Sequence, residues 1–107
     1  MIWTVYYTDE AQQDLQDVYD YISNGLLEPV IAKKQVNKIL DAVDSLDNMP
    51  MRYRLYEQEP WHSKGLRVLP VESYLVFYLA VETKNTVVII RIMYGGRDIK
   101  RQLTEPE

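Results

Sequence analysis

The side chains most able to do chemistry lie in the second half of the chain. Arg67, Arg91 and Arg97 punctuate apolar, strand-like runs, Lys64 precedes the first of these, and Lys100 and Arg101 follow in the stretch "RIMYGGRDIKRQL". A guanidinium is a planar fork that matches phosphate or carboxylate oxygens, so this set suits an anionic target. Three other side chains can exchange protons: Tyr94 just before the glycine pair, Tyr78 in an apolar run, and His62, the single histidine. With no cysteine and one histidine, neither a Cys-ligated nor a multi-His metal centre can be built. No cofactor is expected.

The net charge of -4 hides a segregation. Residues 1–51 carry nine acidic and three basic side chains, whereas residues 52–101 carry nine basic and five acidic ones. Either the chain offers two surfaces to two kinds of partner, or each half has an ordinary solvated face.

The elements that must hold these groups can be read along the chain. At 107 residues one domain, 1–107, is expected, with a single core. No apolar run approaches the roughly 20 residues of a membrane span. "MIWTVYY" has no basic n-region and no small-residue cleavage site, so the expectation is a soluble cytoplasmic protein. That segment is rich in β-branched and aromatic residues and predicts a first strand. Thr8 then offers an N-cap, with Asp9 and Glu10 in the first helical turn. Ala11, Leu15, Val18 and Ile22 recur at helical spacing, and Gly25 suits a C-terminal cap. Pro29 opens a second helix with the stripe Ala32, Val36, Ile39, Val43 and Leu46, which Asn48 and Pro50 end. Few residues join the two helices, so they form an antiparallel hairpin.

"MRYRLYEQEPWHSK" is irregular and aromatic. "LRVLPV", "YLVFYLAV" and "TVVIIRIMY" follow as three sequential antiparallel strands, with turns around Glu72–Ser73 and Thr83–Asn85. The fold class is α+β, in the order β-α-α-β-β-β, with the hairpin packed on one face of a small, mainly antiparallel sheet. The last two strands are apolar on both faces, yet two helices cover only one. The other face needs a cover: loop 51–65 with Trp61, a terminal segment, or a partner.

This pattern resembles the RelE/ParE superfamily of bacterial type II toxin–antitoxin toxins over nearly the whole chain. "TDEAQQDLQDVYDYI" looks like that family's first helix, and "SLDNMP" like the element before its irregular loop. "KGLRVLPVESYLVFYLAV" resembles its Gly-x-Arg strand and the strand after it. "VVIIRIMYGGRD" resembles its terminal Ile-x-Arg-Val-x-His-Gly-x-Arg-Asp signature.

The resemblance implies a toxin neutralised by a cognate antitoxin, acting on one of two targets. ParE-like members inhibit DNA gyrase. RelE-like members cut messenger RNA on the ribosome, using the RNA 2′-hydroxyl as nucleophile. That cleavage needs a base, an acid and a cation for the pentavalent phosphate. Arg97, on the family's terminal arginine, is the first choice for the cation, with Arg67 beside it and Tyr94 as proton carrier. Arg91, Lys64, Lys100 and Arg101 would contact the target. Arg67 and Arg91 can project from one sheet face; a structural salt bridge with Asp98 or Glu72 is the alternative for Arg91.

Departures from the nuclease pattern point the other way. Tyr94 stands where many relatives have histidine, and a free phenol, with its pKa of about 10, is a weaker base at neutral pH. Leu75 and Leu103 replace an arginine and a tyrosine of one nuclease branch. The reading therefore leans to gyrase inhibition. An inactive toxin-like binding module and a free-standing RNA-binding domain are the readings from other classes.

Overall fold

The computed structural model describes residues 2–96, Ile99 and Leu103. The expectations for Arg97, Asp98, Lys100 and Arg101 lie outside these residues. Strand β1 (Thr4–Tyr7) leads into helix α1 (Asp9–Asp20), a π-helical turn (Tyr21–Gly25) and helix α2 (Pro29–Asp44). After two short 3-10 turns and a one-turn helix α3 (Trp61–Lys64) come β2 (Arg67–Val71), β3 (Tyr74–Val81) and β4 (Thr86–Tyr94). No helix among the described residues is long and apolar enough to cross a membrane.

Local chemistry explains most boundaries. Thr8 Oγ1 accepts the Ala11 N–H at 3.1 Å, capping α1, and donates to the Ile89 carbonyl at 2.9 Å, which ties the helix start to the sheet. Pro29 begins α2, where its missing N–H costs nothing. Gly25 is not the cap that its position suggested. The helix widens instead, with Leu26 N–H reaching the Tyr21 carbonyl, and the left-handed residue is Leu27 at φ 57°. At the far end of α2, the Arg52 guanidinium donates to the carbonyls of Ser45 and Met49, giving the helix terminus a cation.

The sheet runs in the order β1-β4-β3-β2. Its last three strands are antiparallel neighbours, and β1 adds to β4 in parallel, with Thr4 opposite Thr86 and Tyr7 opposite Ile89. Pro70 is tolerated because β2 lies at an edge. The ladder slips between Phe77 and Tyr78, which face Arg91 and Ile89, so Ile90 is the extra residue of a bulge.

Each sheet face has its own core. On one, Ala11, Val18, Ala32, Ile39 and Val43 of the helices pack on Val76, Tyr78, Val87 and Ile89. On the other, Trp61, Leu66, Val68, Phe77, Met93 and Leu103 form a second cluster, with Ile99 beside it. The second face is thus closed from within the chain, by the loop with Trp61 and by two residues beyond β4. The Trp61 indole N–H, buried, donates to the Leu103 carbonyl at 2.9 Å.

Candidate functional site

At the end of the sheet where β4 runs out, α1, the π-turn and the start of α2 stand away from the strands. They leave a groove of about 770 Å³. Its helical wall is Asp17, Val18, Tyr21 and Ile31, and its sheet wall is Tyr74, Arg91 and Tyr94. The wall is apolar but not covered: Tyr21, Leu26, Ile31 and Tyr94 keep 61%, 53%, 52% and 49% of their surface exposed. Burying such a patch is favourable in proportion to its apolar area, so the wall is suited to a contact. Tyr94 leans edge-on against Tyr74, with ring centroids 5.7 Å apart. A Cβ on Gly96 would stand 2.7 Å from the Tyr94 ring, so the glycine makes room for this rotamer.

The floor of the groove is polar and tightly built. Asp14 lies on the buried side of α1 and takes both prongs of Arg91, Nε at 2.7 Å and Nη2 at 2.9 Å. It also accepts the Ile92 N–H at 2.8 Å. The bulge at Ile90 turns Arg91 and this N–H toward the helix, and one carboxylate receives both. The hydrogen bond that Arg91 donates to Asp14, ahead of the opposing effect of burial, raises the Arg91 pKa still further. Beside this pair, the Gln35 amide nitrogen is buried and has no acceptor among the described residues.

Among the described residues, those expected to do chemistry are distributed rather than gathered. Arg67 sits opposite Tyr78, and Tyr94 opposite Tyr74. Those rows are four residues apart on β3, or about 13 Å along the strand. The Arg67 guanidinium donates to the carbonyls of Tyr53 at 2.7 Å and Met51 at 3.1 Å, so it holds the irregular loop. Tyr78 is fully buried, its hydroxyl donates to the Pro50 carbonyl at 2.5 Å, and burial pushes its pKa up to about 12. It is therefore a core residue, not a base. Lys64 Nζ stands over the Trp61 ring, 5.4 Å from its centroid, and exposed His62 shares that short helix. Arg91 and Arg67 both emerge on the helix-bearing face, but Arg91 is committed to Asp14, a partner that sequence reasoning passed over. The signal was there: Asp14 falls three residues after Ala11 and four before Val18, on the apolar stripe. Gln35 and Tyr74, also unmarked beforehand, gain their place only through the tertiary fold.

Comparison with known proteins accords with this architecture. The model of the family described as the ParE toxin of the type II toxin–antitoxin system parDE matches residues 5–99. Comparison with curated protein sequences gives no significant match. Among solved structures, a chain of the chromosomal ParDE toxin–antitoxin system from P. aeruginosa is 26% identical, with a TM-score of 0.70, covering 87% of this chain and 96% of that one. A chain of the RelBE2 toxin–antitoxin complex from Mycobacterium tuberculosis has 21% identity and a TM-score of 0.65, covering 88% and 99%. A chain of the archaeal RelE–RelB complex from Pyrococcus horikoshii OT3 has 17% identity and a TM-score of 0.63, covering 91% and 99%.

Proposed function

The chain belongs to the ParE toxin family of type II toxin–antitoxin systems, and from that membership we propose that it arrests growth by inhibiting DNA gyrase unless a cognate antitoxin is bound. The antitoxin part of this reading draws on the similar structures, whose descriptions name toxin–antitoxin pairs. The half-exposed apolar groove is the place where such a partner fits.

The preference for gyrase over messenger RNA is carried by one observation, the spacing of Arg67 and Tyr94 along the sheet. A base and a phosphate clamp serve one phosphodiester only if both reach it within hydrogen-bonding distance. Here about 13 Å of strand separates their rows, and Arg67 is already bonded to two loop carbonyls. The remaining cation of the proposed set, Arg97, would act on the target surface together with Lys100 and Arg101.

The test is controlled expression in a bacterial host, alone and with the product of the adjacent reading frame. Growth should stop with the chain alone and resume with the partner, while messenger RNA stays intact. Codon-specific RNA cuts that vanish in Arg97→Ala would establish the RelE-like nuclease instead. Unimpaired growth would leave a binding module without toxicity.

A further inference from the structure

The groove also carries information about the chemistry of whatever fills it. Helix α1 contains Asp9, Glu10, Asp14, Asp17 and Asp20 and no lysine or arginine. Arg91 is bonded to Asp14 and attracts Glu10 and Asp17 more weakly, so one cation faces several acids of the helix. Asp17 lines the groove, and Asp20 follows one turn later toward Tyr21. Their carboxylates accept from the Gln13 and Gln16 side-chain amides, both at 2.9 Å. Among the described residues neither is ion-paired with a lysine or arginine. Among the described residues the groove therefore has an apolar wall edged by Asp17, with Asp20 one turn further along α1, and Gln35, which also lines it, has a buried amide nitrogen with no acceptor among the described residues. Each feature asks for its complement.

We propose that the groove takes a segment of the antitoxin that seats aliphatic side chains among Tyr21, Ile31 and Tyr94, offers a carbonyl to Gln35, and sets lysine or arginine against Asp17 and Asp20. This rests on the reading of the chain as a toxin held by a protein partner, and it adds the sign of the charge and the position of the rim. The apolar contacts supply most of the affinity, while the rim charges govern selectivity and association rate. An acidic segment of the same apolar pattern is rejected, because its carboxylates would face the acids of α1, and Arg91 beside them is already bonded to Asp14.

Two synthetic peptides of identical aliphatic pattern, one with lysines and one with glutamates at the polar positions, test this directly by fluorescence anisotropy. The whole chain should bind the lysine peptide and not the glutamate one, with affinity falling as salt screens the rim. Asp17→Asn with Asp20→Asn should weaken the lysine peptide about tenfold. Asp41→Asn with Asp47→Asn, an equal change of net charge elsewhere, should alter it less than about twofold. Ile31→Gln should weaken it as well, which separates a seated peptide from diffuse attraction to an acidic protein. Equal binding of both peptides, binding of neither, or equal losses in the two Asn pairs would overturn the proposal. Growth is read separately: harmless expression removes the toxin reading, whereas the peptide series alone decides the chemistry of the groove.

Discussion

Asp14 connects three parts of the molecule with one carboxylate: helix α1, the Arg91 side chain and the backbone of the bulge. The pair is mostly withdrawn from water, with side-chain exposure of 10% for Asp14 and 27% for Arg91. Removing one member takes from the other its bidentate partner. Asp14→Ala should cost about 2–3 kcal/mol in urea unfolding, and Arg91→Met should cost less in that background than in the parent chain. Additive losses would mean that the two side chains are not energetically coupled. Tyr78 offers a second test at this scale. An unfolded phenol titrates near pH ~10, whereas burial holds the folded one at about 12. The stability from this group is therefore whole below pH ~10 and drains away as the pH climbs toward the folded value. Tyr78→Phe should flatten that alkaline loss, at a cost of about 1 kcal/mol at neutral pH for the hydrogen bond to Pro50. An unchanged alkaline slope would count against it. In the sequence, Thr8 declared its capping role through residue type and position. Asp14 declared itself only as an acid out of place on an apolar stripe, and nothing in the sequence named Arg91 as its partner.

Among the elements, the two-sided apolarity of β3 and β4 has the largest consequence, because it demands two cores. The helical hairpin supplies the first, and its stripes were legible from spacing alone. The second depends on Trp61, which fills the far face and bonds to Leu103. Trp61→Ala should lose about 3–5 kcal/mol, and Trp61→Phe, which keeps an aromatic ring but not the N–H, should lose less. In both variants the Leu103 amide, which donates to the Ile99 carbonyl, should exchange with solvent faster. Unchanged exchange in Trp61→Ala would show that the residues beyond β4 do not depend on this clamp. The bulge was not legible, because "VVIIRI" is apolar at consecutive positions and an alternation pattern then has no phase to break. Gly25 misled for a related reason: glycine permits a left-handed cap, but the local hydrogen bonds placed that conformation at Leu27.

At the scale of the whole molecule, the order of elements follows from turns and periodicity, but the parallel pairing of β1 with β4 does not. It joins residues more than 80 positions apart, and only the packing of the hairpin on the sheet brings them together. The same closure creates the groove, since its walls come from α1, α2 and the ends of β3 and β4. This is why the family was legible in local motifs while the groove was not. Charge segregation follows the architecture too, with Asp14 and Asp17 of the acidic α1 lining the groove and the basic residues largely in the loop, the strands and the last part of the sequence. The most direct test of the central claim is supercoiling of relaxed plasmid by purified DNA gyrase in the presence of the chain, with and without its antitoxin. Inhibition by the chain, relieved by the antitoxin, is the predicted result. Undiminished supercoiling, together with ribosome-dependent cutting of messenger RNA by the same preparation, would contradict it.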